Sequence, residues 1–178
     1  MKYPIVIGSH PGSRFLQNCL DSIRGLECLV VVNDGYEMGK IKWVYDHTDW
    51  NEFVFFQDSV QIKNGTFIPT LFNELEGRSV SLCGCPCPFG SYLGKYRREV
   101  LDQMELTETR TKVEAVNMER SFSDAYCAIE KPVQYFEDLN DAPNFEVFGG
   151  RQNMVLENFF IKKFKGTWNM GMAENVDN

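Results

Sequence analysis

The stretch Glu52–Ile62, EFVFFQDSVQI, decides the fold. Phe53, Val54, Phe55 and Phe56 form a continuous apolar run, the pattern of a strand buried on both faces. The run stops at Gln57-Asp58-Ser59. A lone carboxylate is costly to bury, so Asp58 is expected to emerge at a sheet edge, where α/β folds place their ligands. Asp also starts turns, and that plainer role for Asp58 stays open at this point.

The chain upstream weighs between the two. Tyr3–Gly8 reads as a first strand through Ile5, Val6 and Ile7, followed by the turn-rich loop Gly8-Ser9-His10-Pro11-Gly12-Ser13. Leu16, Cys19, Leu20 and Ile23 fall at helical spacing, which predicts an amphipathic helix over Arg14–Arg24. Ser13 suits its N-cap and Gly25 its stop. Cys28–Val32 is a second apolar strand, ending in Asn33-Asp34-Gly35, and a helix over Met38–Asp46 leads to the Glu52–Phe56 strand. Such β-α-β-α-β alternation predicts a parallel sheet. All three strands then end on one edge, bringing Ser9, His10, Asn33, Asp34, Gln57 and Asp58 together. A single strand-end Asp is ordinary; two aligned by topology make a candidate site.

The 178 residues fit one domain with a sizeable core, and the 43% apolar and 24% charged shares are those of a globular protein. A net charge of −7 argues against stable nucleic-acid binding, which requires a basic surface. The apolar run Ile5-Val6-Ile7 is too short for a signal peptide or a membrane span. A cytoplasmic location follows as the expectation, with the six Cys as free thiols. Cys83, Cys85 and Cys87 could share one face of an extended segment, yet their spacing is not that of a zinc site. They read as packed thiols beside a stiff loop.

Downstream, Asn64-Gly65 signals a tight turn, Ser79–Cys83 a further strand, and Pro86–Gly94 a loop able to line a pocket. Lys95–Met104 reads as a short helix with an exposed basic start at Lys95, Arg97 and Arg98. A long helix is expected over Thr107–Ile129, with Ala115, Met118, Phe122, Ala125 and Ile129 as its apolar stripe and Glu114 and Glu119 flanking it. Met154–Phe164 forms an apolar-aromatic segment bordered by Arg151, Lys162, Lys163 and Lys165. Arg151 and the lysines near it could neutralise phosphate, although such a charge run ordinarily marks a solvated face. Residues 171–178 read as a frayed tail.

The phrases PIVIGSHPGSRFLQNCLDSI, LVVVNDG and FVFFQDS, covering the first 62 residues, resemble GT-A type glycosyltransferases, especially family 2 relatives. PFGSYLGKYRREVL and NMVLENFFIKKFKGTW resemble compact phage-encoded enzymes of this type more loosely. The resemblance implies a single GT-A-like domain over 1–170, a three-layer α/β/α sandwich with a mostly parallel sheet. Residues 1–62 would form the nucleotide-sugar half and 63–170 the acceptor half. It further implies that Asp34 contacts the nucleotide and that Asp58 holds Mn²⁺ or Mg²⁺ on the diphosphate. Ser9, His10, Arg14, Asn33, Gln57 and Arg151 complete the candidate donor-binding set. The host cytoplasm would be the location of a phage-encoded version. Where the family's metal motif has two carboxylates, this chain has Gln57-Asp58-Ser59, with one.

Sugar transfer from such a donor needs positive charge on the departing phosphates and a carboxylate to take the acceptor's proton. Asp58 suits the first task through a metal; Glu119 is the candidate for the second, with Glu114 and Asp124 behind it. The reading is an inverting, metal-assisted hexosyltransferase. A nucleotidyltransferase on a similar sheet is the alternative, with Gly8–Arg14 as a weak phosphate loop. An inactive nucleotide-sugar or protein-binding module is another, favoured by the missing second carboxylate.

Overall fold

The structure, a computed structural model, describes residues 2–33, 35–82, 93–136, 145–148 and 151–165. The first half follows the predicted alternation: β1 (Ile5–Ser9), α1 (Leu16–Ser22), β2 (Leu29–Val32), α2 (Tyr36–His47) and β3 (Glu52–Gln57). Both β2 and β3 pair with β1 in parallel, Gly8 standing opposite Val31 on one side and Gln57 on the other.

The chain then leaves this sheet through β4 (Val60–Ile62) and α3 (Phe67–Asn73) and re-enters it with β5 (Val80–Ser81) and β6 (Leu93–Arg97). After α4 (Arg98–Leu101) and α5 (Lys112–Ile129), β7 (Val133–Gln134) completes the sheet. Its order is β2-β1-β3-β6-β5-β7, with β6 antiparallel to both neighbours and β7 parallel to β5. The protein is therefore α/β, with a mixed, mostly parallel six-stranded sheet. A second, antiparallel sheet has the order β4-β10-β9-β8, built from β8 (Phe145–Phe148), β9 (Arg151–Glu157) and β10 (Ile161–Lys165).

Alternation along β1 and β3 divides the core in two. Ile5, Ile7, Val54 and Phe56 face α1, α3 and the second sheet, through Cys19, Ile23, Phe67, Ile68, Leu71, Val60 and Ile161. Val6, Phe53 and Phe55 face α2, α4 and α5, through Met38, Ile41, Val44, Val100, Phe122 and Tyr126. Helices thus cover both faces of the parallel strands. Gly8 is where this packing tolerates no side chain: a Cβ there would lie 2.4 Å from Phe55 Cζ and 2.9 Å from Lys40 Cδ.

Two expectations need correction. Residues 93–97 are strand β6, and only 98–101 are helical. Lys95, expected at an exposed helix start, is fully buried. Its ammonium donates to Glu52 Oε2 at 2.8 Å and to the carbonyls of Leu71 and Leu75 at 2.7 and 2.8 Å, holding the end of α3. Arg98 likewise donates to the carbonyls of Tyr45, Thr48 and Trp50 around the end of α2. At Asn64-Gly65 the expected turn is present, Asn64 Oδ1 accepting from Thr66 N–H at 3.0 Å, and it leads into α3. Finally, α1 is shorter than expected. Ser13 Oγ accepts from Phe15 N–H at 3.3 Å just outside the helix, while Gly25, at φ +87, stops the chain there as anticipated.

Among the described residues, no helix is long and apolar enough to cross a membrane.

Candidate functional site at the carboxyl edge of the parallel strands

Because β1, β2 and β3 are parallel, the loops after Ser9, Val32 and Gln57 leave from one edge. Asp58 N–H donates to the Gly8 carbonyl at 2.9 Å, carrying the β1–β3 ladder one residue beyond the strand. The side chain of Asp58 does not emerge into solvent as expected. Its residue is only 5% exposed, and Ser9 Oγ donates to Asp58 Oδ2 at 2.6 Å. Burial of the charge is permitted because partners were supplied. One is this hydroxyl, and an ammonium is held on the residues to either side of Asp58.

That ammonium belongs to Lys163, one of the lysines the sequence offers for phosphate, although its burial beside Asp58 was not expected. In β10, Lys163 stands opposite Val60, and Phe164 N–H donates to the Ser59 carbonyl at 2.9 Å. The backbone thus delivers Lys163 to the residues that flank Asp58: its Nζ donates to Gln57 Oε1 and to Ser59 Oγ. Lys163 is 2% exposed, so the expected solvated face holds for half-buried Lys162 but not for its neighbour. The strand's alternation was the available signal, since Ile161 and Lys163 must share a face.

The other nitrogen-bearing end of Gln57 completes the group, Gln57 Nε2 donating to Glu37 Oε1 in the first turn of α2. Lys40, also buried, lies one turn further along α2 and donates to the Tyr36 carbonyl at 2.9 Å. Burial pushes the Cys19 thiol of α1 up to about 12; the Asp58 carboxylate adds to the rise and the Lys163 ammonium opposes it. Both charges therefore act on the α1 side of the sheet.

The remaining expected residues are placed as follows. His10 is half-buried, with Nδ1 3.0 Å from the Pro11 carbonyl and a buried Nε2 that has no hydrogen-bond partner. Arg14 is exposed beside the Phe15 ring, which itself stacks on Phe164. Asn33 Oδ1 accepts from Gly35 N–H at 3.0 Å, a turn that opens α2. Asp34 and the Cys83-Cys85-Cys87 cluster lie outside the described residues, as do residues 171–178. Arg151 begins β9, five residues from Leu156, the partner of Lys163. At strand rise that is about 17 Å away along the second sheet, so its backbone is not part of the Asp58 group.

Glu119 is half-buried on α5 and lies in the layer over Val6 and Phe55, away from the α1 side. It is nonetheless tied to the same edge in one respect. Thr109 Oγ1, just before α5, donates to the Gly35 carbonyl at 3.1 Å, so the helix starts at the β2 loop. Glu119 sits about 12 Å along the helix from its cap Thr111. Glu114 is accounted for otherwise: with Thr111 it forms the capping box of α5, and the amides of Arg110 and Thr111 hold its carboxyl below the usual range. Asp124 is exposed. A recess of about 190 Å³ between α2 and α5 is lined chiefly by Met38, Met104, Leu106, Met118, Phe122 and Ala125. Its lining is apolar, unsuited to phosphate.

Among the described residues, no three His, Cys, Asp or Glu side chains come together as a metal-holding group. Asp58 offers one carboxylate, whose Oδ2 accepts from Ser9. That set fits a hard ion such as Mg²⁺ only if water and a ligand's phosphate oxygens complete its shell. Compared with protein-family models, with curated proteins and with solved structures, the chain matches none.

Proposed function

We propose that the chain is a GT-A type glycosyltransferase, a cytoplasmic enzyme moving a hexosyl group from a nucleotide-diphosphate donor to an acceptor, with inversion. The observation that carries this reading is the carboxyl edge itself. Three parallel strands end together there, with Asp58 anchored by Ser9 and an ammonium fixed beside it. Such an edge is where open α/β sheets receive nucleotides.

In this reading the donor's diphosphate lies over Ser9, Asp58 and Ser59, and Asn33 and Asp34 face the nucleoside. Mn²⁺ or Mg²⁺, held by Asp58 and the phosphates, would supply Lewis-acid charge for the departing anion. Glu119 is the residue assigned to take the acceptor's proton. The nucleotidyltransferase alternative has less support, because Gly8 is part of a strand and is required by the Phe55 contact. Of the two glycines offered for a phosphate loop, that leaves only Gly12, at φ +76.

The test is release of nucleoside diphosphate from a panel of donors. Asp58→Asn should abolish release while leaving a cooperative thermal transition. Glu119→Gln should keep donor affinity and lose transfer, as a base acting only in the reaction step does. Pyrophosphate release from a nucleoside triphosphate and a sugar phosphate would establish nucleotidyl transfer instead. Donor binding with no turnover under any condition would make the chain a binding module.

A further inference from the structure

We propose that Lys163 is a diphosphate-binding cation of this edge, one whose hold on phosphate persists without a divalent ion. The donor itself comes from the transferase reading, on which this inference rests.

Burying an ammonium is unfavourable unless its surroundings repay it. Position 163 shares its face of β10 with fully buried Ile161 and stands opposite fully buried Val60, on an otherwise apolar face. An ammonium stands there instead, in contact with both chain neighbours of Asp58. Two of the oxygens it contacts, Gln57 Oε1 and Ser59 Oγ, are neutral. A phosphate oxygen taking the place of either would exchange a neutral acceptor for a charged one, which forms a shorter and stronger bond. Gln57 and Ser59 are half-buried, so rotation of either side chain is the movement that admits an anion.

The charges facing this position define what it can accept. Asp58 lies between its two contacts, Glu37 is tied to it through Gln57, and Lys40 is buried on the same stretch of α2. The Lys163 ammonium, on both chain neighbours of Asp58, offsets that carboxylate, so the site does not repel an anion as an acidic motif alone would. The contrast with Lys95 is instructive. That ammonium already holds a carboxylate and two helix-end carbonyls, and it offers no exchangeable neutral partner among those three contacts.

Inorganic pyrophosphate is the probe, titrated calorimetrically into the full chain in excess EDTA. Wild type should bind; Lys163→Met should weaken binding at least ten-fold, and Lys163→Arg should retain most of it. Wild-type binding that appears only with Mg²⁺, or equal affinity in Lys163→Met, would overturn the proposal. Should Lys163→Met fail to fold, the Lys163 ammonium resonance in wild type decides, assigned by its loss in Lys163→Arg. It should shift when pyrophosphate is added in EDTA, and an unmoved resonance would overturn the proposal equally. A third arm separates the two readings. If pyrophosphate binds through Lys163 but no nucleotide-diphosphate sugar binds or turns over, the transferase reading fails and the anion site stands.

Discussion

The two edges of the six-stranded sheet use buried charge in opposite ways. At the edge where β3 begins, Lys95 is matched by the Glu52 carboxylate and by two carbonyls at the end of α3. Arg97 nearby bridges to Glu130 at 2.6 Å, and Glu130 accepts from Ser79 N–H at 2.8 Å. Burial lowers the Lys95 pKa while Glu52 opposes the fall; the amide of Ser79 and the Arg97 guanidinium outweigh burial to lower that of Glu130. These charges close onto each other and onto helix ends. At the edge where β3 ends, Asp58 is held by a hydroxyl and Lys163 contacts neutral oxygens of an amide and a hydroxyl. Charge at the first edge is spent on the fold. At the second it is held by groups that a ligand can displace.

The largest effect expected from breaking this contrast is at Lys95. Lys95→Met leaves Glu52 and the α3 carbonyls without their donor and should cost about 3–5 kcal/mol, the range for removing one partner of a buried pair. Urea unfolding checks it; a loss below about 1 kcal/mol would mean that water replaces the ammonium. Next comes Gly8→Ala, which drives a methyl into Phe55 and the Lys40 stem and should cost about 1–3 kcal/mol by overpacking. Unlike Lys95→Met, it should also weaken any ligand at the Ser9–Asp58 edge, as calorimetry on the two variants would show.

Alkaline pH probes the two faces of the sheet together. Burial pushes both the Cys19 thiol and the Tyr126 hydroxyl up to about 12, from ordinary values of 9.0 and 10.0. In that interval the unfolded chain loses protons that the folded chain keeps, so deprotonation favours unfolding. Stability should therefore be fully present below pH 9 and fall as pH rises towards 12. Tyr126→Phe should make the decline shallower above pH 10 if the phenol contributes as described. The smallest effect is at the α5 cap, where Thr111→Ala should cost about 1 kcal/mol in thermal unfolding, without changing ligand affinity.

The parallel half was legible because its signals are local. Apolar runs ending in turn residues and one helical stripe sufficed to place β1, α1, β2, α2 and β3 in order. What escaped were decisions made by distant chain. Leu93–Arg97 carries Lys and Arg that read as an exposed helix start, yet Lys95 is drawn into the sheet by Glu52, Leu71 and Leu75. In α3, Pro69 and the preceding Asn-Gly masked a short helix that buries Phe67, Ile68 and Leu71. Asp58 was found as a strand-end carboxylate, but its burial depends on Ser9, 49 residues earlier, and its motif is fastened by Lys163, more than a hundred residues later. Sequence spacing pairs Asp58 with neither residue, although the alternation of β10 does put Lys163 on the face of Ile161.

The most direct test of the central claim is thermal unfolding of wild type and Asp58→Asn against a panel of nucleotide-diphosphate sugars, with and without Mg²⁺ or Mn²⁺. A ligand that binds only the folded state raises the transition, by about 2.7 kcal/mol of stability at a hundred-fold excess over Kd. The account predicts that at least one donor stabilises wild type, more so with the divalent ion, and that Asp58→Asn loses the metal-dependent part. A panel in which no donor shifts the transition, or in which both proteins respond alike, would contradict it.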